Sequence, residues 1–366
     1  MKRAGNIELL RFVFAIVIVL HHSMVEGLLA MTGGFLSVEF FYMITGAFMA
    51  KSCKKYIEEN KQVEKIDITV KHTYKYLMKR IISILPELFI STIIGLVFFY
   101  NIGYINAQSY NFFRHVVNDF LFVQSLGMPV ASVSGIVWYL SSMYFGIIII
   151  YPIIRRHYTV YCRLIAPILA LFLMGTIIHN YGTLNVPAEY LWGVFNTGNM
   201  RSIAMISLGC FAYELSSDIK EKQFGKGSLV FLTVLEVACY IIAIYHMHIY
   251  SGENSIFDEQ AVFLLFVGIM LTLSEVSLIR NLLVDNKVAV ALGKYSGALF
   301  FGHFIWVQHP AELVYLLKYS GNIPEKYVGI LFALIVSIIL MILSILIKKG
   351  RVYKTCLNKI NNITCD

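Results

Sequence analysis

Long apolar stretches, separated by shorter polar segments, dominate this chain. A helix rises 1.5 Å per residue, so about 20 apolar residues cross a hydrocarbon core roughly 30 Å thick. About ten such stretches lie near residues 9–29, 32–50, 81–100, 135–154, 161–178, 198–215, 228–247, 261–278, 289–308 and 327–347. The pattern predicts an all-α, polytopic membrane helix bundle. We interpret residues 1–366 as a single transmembrane domain.

Basic residues are concentrated in alternate loops. The connection 51–80 contains nine lysines and arginines, and further basic clusters follow the fourth, sixth, eighth and tenth predicted spans. Because an excess of Lys and Arg marks cytoplasmic loops, both termini are predicted to face the cytoplasm. The net charge of +8 is therefore a topology signal, reinforced by contact with membrane lipids, and we predict no nucleic-acid partner.

Composition supports the membrane assignment and narrows the chemistry. The chain is 58% hydrophobic and 14% charged, with a mean hydropathy of +0.70, which excludes an ordinary soluble domain. None of the six cysteines lies in a predicted external loop, so we expect no disulfide framework. The sequence contains no CxxC, HExxH or Walker motif, and we predict no metal site.

Two ionisable residues share one face of the first predicted helix. Arg11 and His22 are eleven positions apart, and at about 100° per residue their side chains return to within about 20° of each other. Along the axis they are roughly 16–17 Å apart. Ionisable groups inside a membrane span are costly and usually functional. A cation near one surface and an imidazole deeper on the same face predict a site for an elongated anionic molecule.

Two further ionisable groups reach the depth of His22 from other predicted helices. Glu39 lies in the second span and His303 in the ninth, and the helical rise places both near the level of His22. Each has a simpler structural interpretation. A buried histidine can satisfy a neighbouring carbonyl group, and a buried glutamate can be a hydrogen-bonded strut.

Five other residues in or beside the spans are candidates with simpler alternatives. Glu87 follows a proline that can free a backbone carbonyl. Lys294 either reaches the cytoplasmic interface or joins an anion site there. Arg201 binds either an acceptor substrate or only a lipid phosphate. Trp138 and Tyr139 belong either to an interfacial aromatic belt or to a platform on which a sugar stacks.

Several of these residues form motifs of a known family. Arg11 and His22 are followed at residues 34–46 by Gly-Phe-Leu-Ser-Val-Glu-Phe-Phe-Tyr-Met-Ile-Thr-Gly. Together the two elements resemble the acyltransferase-3 family of integral-membrane O-acyltransferases. Weaker matches are Lys79–Pro86, Trp138–Leu140, Tyr151–Pro152, Leu208–Gly209, Leu292–Ser296 and His303. The chain departs from the family pattern at Ser37, Glu39, Ser83 and Met143. With the departure at Met143, the chain resembles the surface-polysaccharide O-acetyltransferase branch of the family.

The resemblance implies transfer of an acetyl or similar short acyl group in a multi-pass protein of the bacterial cytoplasmic membrane. The donor would be cytoplasmic acyl-CoA, a substrate rather than a bound cofactor, and the acceptor a sugar hydroxyl of an envelope glycan or a lipid-linked precursor. Arg11, Lys79, Arg80 and Lys294 are the candidates for binding the CoA phosphates.

His22 and Glu39 are the candidate catalytic residues, and two mechanisms stay open. His22 is either a general base on the sugar hydroxyl, oriented by Glu39, or a nucleophile that carries the acyl group. Two rival functions also stay open. A transporter or flippase could use the buried His and Glu residues as a proton relay, and a scaffold with a decayed site would tolerate loss of His22. The sequence identifies neither the acceptor nor the oligomeric state.

Overall fold

The computed structural model describes residues 5–60, 65–104, 110–127, 133, 135–250, 255–284 and 286–363. The α-helices of this part are α1 (Gly5–Ser23), α2 (Ser37–Asn60), α3 (Ile66–Asn101), α4 (Tyr110–Leu121), α5 (Val137–Arg156), α6 (Tyr158–Val160), α7 (Ala166–Tyr181), α8 (Thr197–Lys220), α9 (Lys226–Ile249), α10 (Ser255–Ser274), α11 (Leu278–Leu283), α12 (Lys287–Gly302), α13 (Phe304–Gln308), α14 (Pro310–Leu316), α15 (Glu325–Lys349) and α16 (Arg351–Asn361). Short 3₁₀ turns cover Gly27–Leu29 and Gly34–Leu36, and a π-helical segment, Tyr161–Ile165, joins α6 to α7. Strands β1 (Tyr190–Leu191) and β2 (Phe195–Asn196) form an antiparallel hairpin.

The predicted all-α membrane bundle agrees with this architecture. Eight helical segments of the described residues are long and apolar enough to cross a membrane. Two predicted spans are not among these eight: 198–215 corresponds to α8, which carries many small polar residues, and 289–308 is divided between α12 and α13. The predicted total of ten spans and the cytoplasmic termini stay predictions.

Several helix boundaries differ from the sequence expectation. Helix α1 ends at Ser23 rather than near residue 29, because Met24 adopts a left-handed conformation with a φ of 48°. Helix α3 begins at Ile66, about four turns before the predicted span, because its basic first half continues the helix beyond the apolar segment. Hydropathy detects the apolar part of a helix and not its polar extension.

Helices α2 and α8 form the closest contact in the centre of the bundle. They run parallel, as the ordered pairs Glu39–Arg201 and Lys54–Glu214 show. Between these pairs a Cβ atom at Gly46 would overlap the carbonyl oxygen of Ile206. Small residues let membrane helices approach closely, and this packing fixes the positions of the polar side chains on both helices.

Ion pairs connect the basic segments at one end of the bundle. Lys54 and Arg163 both bind Glu214, at 3.2 and 2.8 Å, and Lys220 binds Glu275 at 2.7 Å. The alternate loops that are rich in lysine and arginine therefore lie together. We call this the basic end of the bundle, and the end that holds the C-terminus of α1 the His22 end.

Candidate functional site

Two histidines from distant parts of the chain meet at the His22 end. The Nδ1 atom of His22 lies 2.9 Å from Nε2 of His303, and the two rings are nearly parallel, with centroids 5.2 Å apart. His22 is in the last turn of α1, and His303 is fully buried at the break between α12 and α13. The sequence prediction that these residues share one level is confirmed.

The hydrogen bonds around His303 determine which ring atoms carry protons. Its Nδ1 atom lies 2.9 Å from the carbonyl oxygens of Leu299 and Phe300, so Nδ1–H must be the donor. Nε2 of a neutral His303 is then an acceptor, and His22 must donate to it from Nδ1–H. We therefore assign the free lone pair of His22 to Nε2, the atom that a base or nucleophile would use.

The short helix α13 holds the His22 backbone in place. Gln308 donates a hydrogen bond from Nε2 to the carbonyl oxygen of His22 at 2.7 Å. The ring of Phe304 contacts the His22 ring edge to face, with centroids 5.1 Å apart. The break at His303 therefore supplies one ring that bonds His22 and a second that packs against it.

Glu39 binds Arg201 instead of His22. Nε and Nη2 of Arg201 both donate to Oε1 of Glu39, at 2.8 and 2.5 Å, and both side chains are almost completely buried. The expectation that Glu39 orients the His22 ring is therefore wrong, because its carboxylate bonds a helix α8 residue and His303 takes that place. The burial of Arg201 likewise excludes a lipid phosphate as its partner.

His22 and Arg201 line the same cavity, which we call the His22 cavity. Its wall also includes His21, Trp138, Tyr139, Phe300 and, from the segment before β1, Asn185 and Pro187. The guanidinium carbon of Arg201 lies 5.8 Å from the centre of the Trp138 ring. Trp138 and Tyr139 thus lie around a cavity inside the bundle.

A second cavity, the Arg11 cavity, lies towards the basic end. Its wall includes Arg11, Arg80, Thr45, Tyr144 and Gly297. The two cavities have volumes of about 110 and 250 Å³. Their walls have two residues in common, Tyr139 and Phe300, whose rings meet edge to face with centroids 5.5 Å apart. These two rings form a partition between the cavities.

A third, more open cavity continues the series on the other side of His22. His21 and His22 form part of its wall, together with Leu20, Val25 and Thr32, and exposed Met24 and Glu26 lie at its rim. We call it the vestibule. The three cavities are therefore arranged in series, with the Arg11 cavity and the vestibule on opposite sides of the His22 cavity.

Two of the four predicted donor-binding cations line the Arg11 cavity. Arg11 also pairs with Glu8 at 3.3 Å, and Arg80 lies over the Tyr76 ring, 4.7 Å from its centre, while donating to the Tyr76 hydroxyl. Lys79 and Lys294 are exposed and do not belong to the cavity wall in the part of the chain that the structure describes. The expected cluster is therefore assembled only in part.

A family model described as an acyltransferase domain matches residues 5–349, nearly the whole chain. The chain belongs to the acyltransferase-3 family. Together with the apolar helices, this makes the protein a multi-pass membrane acyltransferase. Comparison with curated proteins and with solved structures finds no match.

Glu87 also lies outside the cavities of this acyltransferase. Glu87 binds Lys348 at 2.5 Å and so connects α3 to the end of α15. Its carboxylate is used in a contact between helices, and it is not among the residues that line the three cavities. The proline before it does not break α3, which continues to Asn101.

Phe300, Asn185 and Pro187 are among the cavity residues that sequence reasoning missed. Phe300 lies one helical turn before His303, and its position on α12 could have been inferred from that spacing. Asn185 and Pro187 come from the connection between α7 and β1, a segment that has no apolar periodicity. Only the tertiary structure brings that segment over the His22 cavity.

Proposed function

We propose that this acyltransferase moves an acetyl or similar short acyl group from acyl-CoA to a sugar hydroxyl of a bacterial envelope glycan or its lipid-linked precursor. The observation that carries the proposal is the pair of cavities on either side of Tyr139 and Phe300. One cavity has two arginines in its wall, and the other has the free lone pair of a histidine. A thioester donor and a hydroxyl acceptor need these two environments.

The Arg11 cavity suits the donor. The guanidinium groups of Arg11 and Arg80 can form charge-assisted hydrogen bonds with the phosphates of CoA. The remaining wall is largely apolar and aromatic, which suits the uncharged pantetheine arm. Arg11 and His22 are roughly 16–17 Å apart along α1, a length over which an extended arm can carry the thioester towards the imidazole. The basic end is expected to face the cytoplasm, where acyl-CoA is made.

The His22 cavity suits the acceptor. The half-buried Trp138 offers an aromatic face for a sugar ring, and Asn185 offers an amide for its hydroxyl groups. The vestibule gives a path to this cavity from the side opposite the donor. The two substrates would thus approach His22 from opposite directions.

The chemistry then depends on Nε2 of His22. As a general base it takes the proton of the sugar hydroxyl, whose oxygen forms a bond to the thioester carbonyl carbon; collapse of the intermediate breaks the carbon–sulfur bond. The departing CoA thiolate recovers the proton from the imidazolium. As a nucleophile, Nε2 forms a bond to the thioester carbonyl carbon, and the carbon–sulfur bond breaks to release the CoA thiolate. The sugar oxygen then forms its bond to the same carbon, the carbon–nitrogen bond breaks to restore the neutral imidazole, and the hydroxyl proton passes to the thiolate. Both routes need the tautomer that His303 imposes, so His303 is a positioning residue.

The test compares purified wild-type protein with His22→Ala, using radiolabelled acetyl-CoA and isolated envelope glycan. General base catalysis contributes about 10²–10⁴-fold, so we expect transfer to fall at least 100-fold while donor binding is retained. His179→Ala is the control, because His179 is exposed on α7 and belongs to none of the three cavities. Equal transfer by His22→Ala and the wild type would refute the proposal.

The cavities in series also fit the rival function, a transporter or flippase. Such a protein has no need to bind CoA or to break a thioester. Release of free CoA thiol by the wild type, dependent on the acceptor, therefore supports transfer. Movement of a glycan precursor across proteoliposomes without thiol release would support transport instead.

A further inference from the structure

Arg201 has hydrogen-bond donors that no described residue uses. A guanidinium carries five N–H donors. Two of them, one on Nε and one on Nη2, bond Glu39, and no other acceptor for Arg201 is found among the described residues. The side chain is 1% exposed and belongs to the wall of the His22 cavity. The unused donors therefore lie in a buried place where a substrate oxygen would be their acceptor.

The guanidinium is also held rigidly. Glu39 accepts hydrogen bonds from two of its N–H groups. Both residues lie on helices whose backbones are packed together around Gly46. Because α2 and α8 cannot separate without breaking that contact, the direction of the remaining N–H groups is fixed before any substrate arrives. Preorganised donors of this kind stabilise charge that develops during a reaction.

We infer that Arg201 is a catalytic residue that stabilises the oxyanion formed on the transferred acyl group. This inference rests on the proposed function. When an oxygen or nitrogen nucleophile forms its bond to the thioester carbonyl carbon, the π electrons of the carbonyl move onto its oxygen. Arg201 donates hydrogen bonds to that oxygen until the electrons return and the carbon–sulfur bond breaks. Both routes through His22 form such an oxyanion, so the role of Arg201 does not depend on which route operates.

The surrounding charges favour a transient oxyanion over a permanent phosphate. Arg201 is already paired with Glu39, so the pair has no net charge. Asp258 also lies close enough to interact electrostatically with both members of the pair. A phosphate dianion would meet two carboxylates here, whereas an oxyanion carries a single charge, for a short time, and needs directed donors.

The experiment compares the wild type with Glu39→Gln/Arg201→Gln, a double variant that keeps two hydrogen-bonding side chains without leaving a charge unpaired in the core. Removal of one oxyanion donor typically costs about 10²–10³-fold in kcat. We expect a fall of that size, with the Michaelis constants of donor and acceptor almost unchanged. Arg201→Ala with added guanidinium chloride gives a second measurement, in which we expect partial recovery of kcat at millimolar concentrations.

Other outcomes would overturn the inference. A raised acceptor KM with normal kcat would make Arg201 a binding residue only. A thermal melt establishes that the double variant is folded. If the folded variant has the kcat of the wild type, Arg201 does not stabilise the oxyanion. If the wild type itself transfers no acyl group, the proposed function fails together with this inference. If the wild type is active and the Arg201 variants transfer the acyl group at the same rate, only this inference fails.

Discussion

At the scale of single residues, the hydrogen bond between His22 and His303 determines what the site can do. His303 has the carbonyl oxygens of Leu299 and Phe300 on one side of its ring, and these fix its proton on Nδ1. The remaining nitrogen can only accept from His22. One buried helix break thus leaves the lone pair of the other imidazole on Nε2.

Replacement of His303 tests this control of the tautomer. In His303→Leu the Nδ1–H of His22 loses its acceptor, and we expect kcat to fall about 10–100-fold, as is typical for such supporting residues. In His303→Gln the amide oxygen can still accept from His22, so most of the activity should return. Steady-state kinetics at saturating donor measures both variants. Equal losses in the two would contradict the assignment and point to packing alone.

At the scale of elements, the parallel contact between α2 and α8 carries the Glu39–Arg201 pair. A Cβ atom at Gly46 would overlap the backbone of α8, so the helices would have to separate. Overpacking of this kind typically costs about 1–3 kcal/mol. We expect Gly46→Ala to lower the unfolding temperature in detergent and to reduce transfer, because the pair at the cavity would shift with its helices.

The matched control is Gly175→Ala on α7. A Cβ atom there meets no atom within 4 Å, and alanine has the higher helix propensity. The unfolding temperature of this variant should therefore equal or exceed that of the wild type. Thermal denaturation followed by fluorescence distinguishes the two positions, and identical behaviour would show that the α2–α8 contact is less tight than described.

At the scale of the whole molecule, the three cavities lie in series from the basic end to the vestibule. Gly297 lies in the wall of the Arg11 cavity, where a Cβ atom meets nothing within 4 Å. Gly297→Phe should therefore fill the cavity without displacing backbone. We expect the donor KM to rise at least tenfold, while acceptor binding and the unfolding temperature stay close to wild type.

Gly175→Phe is the control for this prediction, since it adds the same ring at an open position on α7. Donor affinity is measured by isothermal titration with acetyl-CoA. An unchanged affinity in Gly297→Phe would place the donor outside the Arg11 cavity. The proposal would then need another path by which the thioester reaches His22.

The sequence by itself determined the class of the protein and part of its site. Apolar runs gave the helices, because hydropathy and helical periodicity are local properties of the chain. The face shared by Arg11 and His22 followed from one helix, and the motif around residues 34–46 identified the family that the comparison confirms.

Only the tertiary structure decided which polar groups are partners. Depth alone placed Glu39, His22 and His303 at one level, but rotation about each helix axis pairs Glu39 with Arg201 and His22 with His303. The partition by Tyr139 and Phe300 likewise joins α5 to α12, elements far apart in the chain. Such pairings depend on how helices pack side by side, which the periodicity of a single helix does not specify.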